Sequence, residues 1–188
     1  MRRWIAFSAL TVAVACSYGP GPAEGLGVPA QGDTLVTLTN LHIDARVQRL
    51  YSAHYVLGEV IPMCTPVVIG EWDYSEITFT VVKTQVKYTY YYHRSSTPEG
   101  LAANALNYFG LQCESAAVQQ MSAVDKAGIK SGTIAVGMTK QAVIYAVGYP
   151  PVTRTPTIEA DQWVYWRSKS KLLIVTFEDG SVTGTREQ

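Results

Sequence analysis

The stretch KQAVIYAV, residues 140–147, constrains this chain more than any other, because it reads as a helix that is apolar on nearly every side. Ala142, Val143, Ile144, Ala146 and Val147 leave no face to offer to water, so other elements must enclose the segment. Its ends are punctuated. Gly137-Met138-Thr139 precedes it, with Thr139 placed to accept the free backbone N–H groups of the first turn. Gly148-Tyr149-Pro150 follows, with Gly148 expected in the left-handed conformation that closes helices and Pro150 preventing continuation.

What comes next offers the enclosing surface. QWVYWRSK and KLLIVTFEDG read as two strands joined near 168–170, and Asp179-Gly180 is a strong hairpin turn into SVTG. On the other side, residues 115–127 form an expected helix with Val118, Met121 and Val124 near one face and Gly128 as its stop. A short extended piece at 133–136 follows it.

Residues 34–93 are β-rich. TLVTLT, PVVIGEW and EITFTVV combine β-branched and aromatic residues, and DYSE between the last two reads as a hairpin connection. In the run 83–94, period-two alternation puts Tyr88, Tyr90 and Tyr92 on one face and Thr89, Tyr91 and His93 on the other. Such a tyrosine face is ordinarily a half-buried surface of cross-strand aromatic pairs. It is also the candidate ligand face of the chain, since aromatic rings can stack on sugars. A helix follows, with Thr97 as cap, Pro98 at its first position, Glu99 in its first turn and Gly110 as its stop. Leu101, Ala105, Leu106 and Phe109 share one side of it and are expected to close the β-rich segment. The expected fold class is α+β: a β-rich domain closed by a helix, then a domain of two helices and a three-stranded antiparallel sheet.

Gly137-Met138-Thr139, Gln141, Gly148-x-Pro150, Trp163 and Tyr165 after Asp161, an apolar strand, and Phe177-Glu178-Asp179-Gly180 together resemble the BamE (SmpA/OmlA) lipoprotein domain over residues 115–185. The resemblance implies two helices packed on a three-stranded sheet and, by analogy with the small outer-membrane lipoprotein of the machine that inserts β-barrel proteins, a place in the cell envelope. The motif positions read as structural rather than catalytic. KAGIKSG, at 126–132, also resembles a turn of PDZ domains, without the strands such a domain places before it.

The N-terminus agrees with the envelope reading. MRRWIAFSALTVAVAC has two arginines, an apolar stretch too short for a stable membrane span, and small residues before Cys16, which is the order of an export signal peptide. A buried N-terminal helix is the alternative. Cys16 followed by Ser17 resembles a lipobox, so Cys16 is the expected lipid attachment site and membrane anchor. The expected organisation is a signal peptide at 1–15, a lipidated cysteine and Gly/Pro-rich tether at 16–32, a β-rich domain at 33–113 and the BamE-like domain at 114–188. The expected location is the periplasmic face of the outer membrane of a Gram-negative bacterium, with a protein of the envelope as partner.

Three cysteines in an exported chain call for an explanation. With Cys16 lipidated, Cys64 and Cys113 form a disulfide or remain as two buried thiols, and the oxidising periplasm favours the first. Fifteen basic and fifteen acidic side chains give no basic excess for a nucleic-acid partner. His42, His54 and His93 are scattered, no cysteine pair has metal-ligand spacing, and no nucleophile elbow or phosphate loop is present. The sequence therefore suggests no enzyme, metal or cofactor, and a binding or scaffold role. The alternative is a glycan- or small-ligand-binding module that uses the tyrosine strand.

Overall fold

A computed structural model describes residues 28–53, 55–94 and 99–188. The expectations for the signal peptide, Cys16, most of the tether, His54, and Thr97 and Pro98 lie outside the described residues; the helix expected from there begins instead at Leu101, with Gly100 at its N-cap and Glu99 in the turn before it.

The fold is α+β. In the first half, β1 (Thr34–Thr37), β2 (Leu41–Ile43), β3 (Arg49–Tyr51), β4 (Glu59–Ile61), β5 (Pro66–Trp72), β6 (Glu76–Val81) and β7 (Lys87–Tyr91) precede a short helix α1 (Leu101–Ala105) and strand β8 (Phe109–Gly110). A six-stranded sheet runs β3-β7-β6-β5-β1-β8, and β2 pairs with β4 separately. All neighbours are antiparallel except β3 and β7. Strict alternation in β6 turns Ile77, Phe79 and Val81 inward, where they meet Val67 and Ile69 of β5, Tyr90 of β7, and Ala105, Tyr108 and Phe109. The closing segment does cover this sheet. Phe109 and Gly110 are not the end of that helix but an edge strand paired to Val36 and Thr37, from which the Phe109 ring packs on Phe79.

The second half contains α2 (Ser115–Gln120), α3 (Ala123–Ser131), α4 (Lys140–Val147), β9 (Gln162–Trp166), β10 (Leu172–Glu178) and β11 (Ser181–Glu187). The three strands form the expected antiparallel meander, with Asp179 and Gly180 at φ 49° and 75° in the hairpin turn. The expected single helix over 115–127 is two. Met121 is extended, and the Ser122 hydroxyl accepts from Asp125 N to restart the chain as α3. Ser122-x-x-Asp125 is a capping box, and a capping side chain competes with continuation of the preceding helix. Gly128 is not the stop but lies inside α3. A Cβ there would sit 2.3 Å from Met138 Sδ, so the glycine admits Met138. The helix ends at Gly132, φ 66°. Residues 133–136 form no strand.

Helix α4 has the expected bounds, and all residues from Ala142 to Val147 are buried. The meander encloses only part of it. Trp163, Tyr165, Val175, Phe177 and Val182 pack with it in one core, while Val147 also lines a small cavity with Leu41, Leu50 and Tyr90 of the first half. Both halves are needed to cover a helix that is apolar all round.

The punctuation at its ends is tied to the sheet. Thr139 Oγ1 accepts from Ala142 N, and Thr139 N donates to Asp125 Oδ1 at 2.8 Å. Gly137 N donates to Val182 O, and Lys140 N to Gly180 O. At the other end the Tyr165 hydroxyl donates to Gly148 O at 3.0 Å. Gly148 has φ 86° and ψ 179°, which corrects the left-handed helical expectation: the backbone turns extended, in a region that essentially only glycine occupies. Thermal melting should register both ends, with Thr139→Ala costing about 1 kcal/mol and Gly148→Val about 1–3 kcal/mol. Wild-type melting of both variants would refute these roles.

Candidate functional site

The candidate ligand face does not form as the strand alternation suggested. Tyr90 is 0% exposed and its hydroxyl donates to Asn104 Oδ1, so it belongs to the core between sheet and helix. Tyr88 stacks on Phe79 with ring centroids 5.6 Å apart. Tyr92 lies beyond the end of β7. Burial pushes the Tyr88 and Tyr90 phenols upward, so both stay protonated at neutral pH. Tyr90 is core because Ala105 of α1 and the rings of Tyr108 and Phe109 pack on this side of the sheet.

The aromatic surface that remains accessible is the opposite one. Tyr91 faces Tyr51 at 6.0 Å, Tyr51 meets Tyr55 edge to face at 5.3 Å, and the Arg49 guanidinium lies 5.2 Å from the Tyr91 ring. Parallel pairing of β3 beside β7 brings Tyr51 to Tyr91 across 40 residues of sequence. Beyond Tyr55 the second half begins: Tyr55 bridges to Trp166, Val56 N donates to Trp166 O, and Arg167 Nη1 donates to Val56 O. The Arg154 guanidinium lies 4.6 Å over the Trp166 ring. The result is a junction cleft walled by tyrosines on one side and by the β9–β10 turn on the other.

Behind the cleft, Asn40, which the sequence did not single out, and His42, one of its scattered histidines, join the halves. Asn40 is 3% exposed and donates through Nδ2 to Ile129 O (2.6 Å) and Ala146 O (3.1 Å), while its Oδ1 accepts from Met63 N (2.8 Å). Two carbonyls on one side and an N–H on the other determine which way the amide points. His42 places Nδ1 2.5 Å from Leu57 O and Nε2 3.1 Å from Ala146 O. A neutral imidazole can donate to only one of them. Desolvation is the largest influence and lowers the His42 pKa from its usual value, the two carbonyls oppose it, and the Arg167 charge adds to the lowering.

That shift has a definite sign. The unfolded chain takes up the His42 proton at about pH 6.5, the folded chain only at lower pH, so the contribution to stability is present above about 6.5 and is lost as pH falls through the folded value. Melting temperatures between pH 7 and 5 should therefore drop more steeply for wild type than for His42→Gln. Parallel slopes would contradict the assignment.

Asp125 is a further residue that sequence reading missed. It is 2% exposed and accepts from Ser122 Oγ, Thr139 N and Thr139 Oγ1, so one carboxylate serves the caps of two helices. The Ser-x-x-Asp pattern could have revealed it.

Cys64 and Cys113 form a disulfide with Cα atoms 5.3 Å apart, fastening the β4–β5 loop to the segment between β8 and α2. Gly137, Met138, Thr139, Gly148, Pro150, Trp163, Tyr165, Phe177 and Gly180 converge around α4 and its sheet. Met138, Trp163 and Tyr165 are fully buried, with Trp163 4.7 Å from Phe177. They hold the fold together and present no reactive group. Among the described residues no group of three or more His, Cys, Asp or Glu side chains could hold a metal ion.

No protein-family model, curated protein or solved structure matches the chain. The functional reading therefore rests on the chain's own residues.

Proposed function

We propose that the protein is a lipid-anchored component of the bacterial cell envelope, with a BamE-like C-terminal half, that acts by binding or scaffolding another envelope protein. One observation carries the reading of that half. Helices α3 and α4 pack on a three-stranded antiparallel meander, with the Gly-Met-Thr and Gly-x-Pro punctuation tied to β11 and Tyr165. This is the arrangement the sequence resemblance implies. The export signal and the lipobox-like Cys16 support the anchor, and a disulfide between Cys64 and Cys113 suits an oxidising compartment. The proposed location is the periplasmic face of the outer membrane, with a role in outer-membrane protein assembly or envelope integrity. Buried Asn40 and Asp125 serve the junction and the helix caps, which suits a rigid scaffold. A fold hosts many functions, so the partner must be identified by experiment.

Two measurements test the reading. Cys16→Ala should abolish incorporation of labelled fatty acid and release the protein from the membrane fraction; unchanged retention sinks the anchor. Affinity purification from detergent-solubilised envelopes should recover a defined envelope protein in stoichiometric amount, and repeated recovery of the chain alone would overturn the scaffold role.

A further inference from the structure

The junction cleft has a composition that selects a ligand. Two cavities of about 440 and 460 Å³ share Ala53, Tyr55, His93 and Lys169, and so adjoin one another. Each lies within the roughly 300–1,000 Å³ of small-ligand sites. Among the described residues, four basic side chains, Arg46, Arg154, Arg167 and Lys169, line the two cavities against a single carboxylate, Asp44. Asp44 is held by Arg46 at 3.2 Å, and Arg167 is paired with Glu187 at 3.1 Å. Arg154 and Lys169 have no carboxylate partner among the described residues. In a chain whose basic and acidic residues balance overall, the cleft is locally cationic.

Its aromatic content adds a second requirement. Tyr51, Tyr55 and Tyr91 are half-buried, with rings held at steep angles to one another, and their hydroxyls have no hydrogen-bond partner among the described residues. Trp166 contributes a further ring, already stacked with Arg154. Rings with polar tips suit a ligand that has apolar faces and hydroxyl edges, and unpaired guanidinium and ammonium groups suit a carboxylate or phosphate. An apolar ligand would leave the cations and phenols without partners, and a bare anion would leave the rings unused.

We propose that the cleft between the two halves is a binding site for an anionic saccharide, a hydroxyl-rich ring bearing a carboxylate or phosphate. The rings pack along the Tyr51 and Tyr55 walls while Lys169 and Arg154, held over Trp166, take the charge. This site is separate from the buried Tyr90 face, and it does not depend on the lipid anchor or on an envelope protein partner.

Isothermal titration of the purified full-length chain tests it with trigalacturonic acid, glucose 6-phosphate, maltotriose and inorganic phosphate. At least one of the two acidic sugars should bind about tenfold or more tightly than maltotriose, and the one that does identifies the anion. Arg154→Gln with Lys169→Gln should weaken it by about tenfold, and Tyr55→Phe by less, with melting temperature unchanged in the exposed double variant. The inference is overturned if neither acidic sugar binds at millimolar concentration, if maltotriose binds equally well, if inorganic phosphate binds as tightly as the sugar, or if the double variant binds like wild type.

Discussion

Asn40→Ala is expected to lower stability by about 3 kcal/mol, a shift of roughly 6–12 °C in melting temperature for a chain of this size. The size of the effect follows from what the amide does. It satisfies Met63 N and reaches two carbonyls, Ile129 O and Ala146 O, that lie 89 and 106 residues away. Alanine would leave the half-buried Met63 N–H without its partner and would remove two of the bonds across the junction. Asn40→Asp sharpens the test, because it keeps the shape while setting a carboxylate oxygen against the two carbonyls. It should cost at least as much as alanine. A stable Asn40→Asp protein would mean that the amide does not donate to those carbonyls. Hydrogen exchange offers a second readout: the amides of Val56 and Met63, which lie at the junction, should lose protection before those of β5 and β6.

Removal of the disulfide should produce an effect of similar size. Cys64 and Cys113 close a loop of 49 residues, and constraining the unfolded chain over that span typically contributes about 2–4 kcal/mol. The double variant Cys64→Ser, Cys113→Ser is the cleaner probe, since neither single variant avoids leaving a reactive thiol. Chemical denaturation should show a lower midpoint under oxidising conditions, and addition of reductant should shift the wild type but not the variant. A wild type insensitive to reductant, with both thiols free in mass spectrometry of periplasm-expressed protein, would remove the cross-link from the account. Because the bond ties the lead-in to α2 to the loop beside Met63, which packs on the second core, its loss should also weaken the junction that Asn40 holds.

Much of the local structure was legible. The hairpin at Asp179-Gly180, the cap at Thr139, the bounds of α4 and the pairing of β9, β10 and β11 all follow from interactions between residues close in sequence, where side-chain period and turn chemistry act directly. The errors were local too where two signals competed. At Ser122 the capping box overrode helix continuation, and at Gly128 the absence of a side chain served the approach of Met138 rather than a helix end.

What the sequence determined by itself was which residues share a face, and what only the tertiary structure decided was which face is covered. Alternation placed Tyr88 and Tyr90 together and Tyr91 opposite them. It could not say that α1, Tyr108 and Phe109 would pack over Tyr90 and leave Tyr91 beside Tyr51 at the cleft. The apolar circumference of α4 demanded enclosure, yet the share supplied by Leu41, Asn40 and His42 depends on contacts about 100 residues apart, for which a single sequence carries no local signal. Burial is a property of the assembled layers: a strand or helix presents two sides with equal readiness, and the packing of distant segments chooses between them.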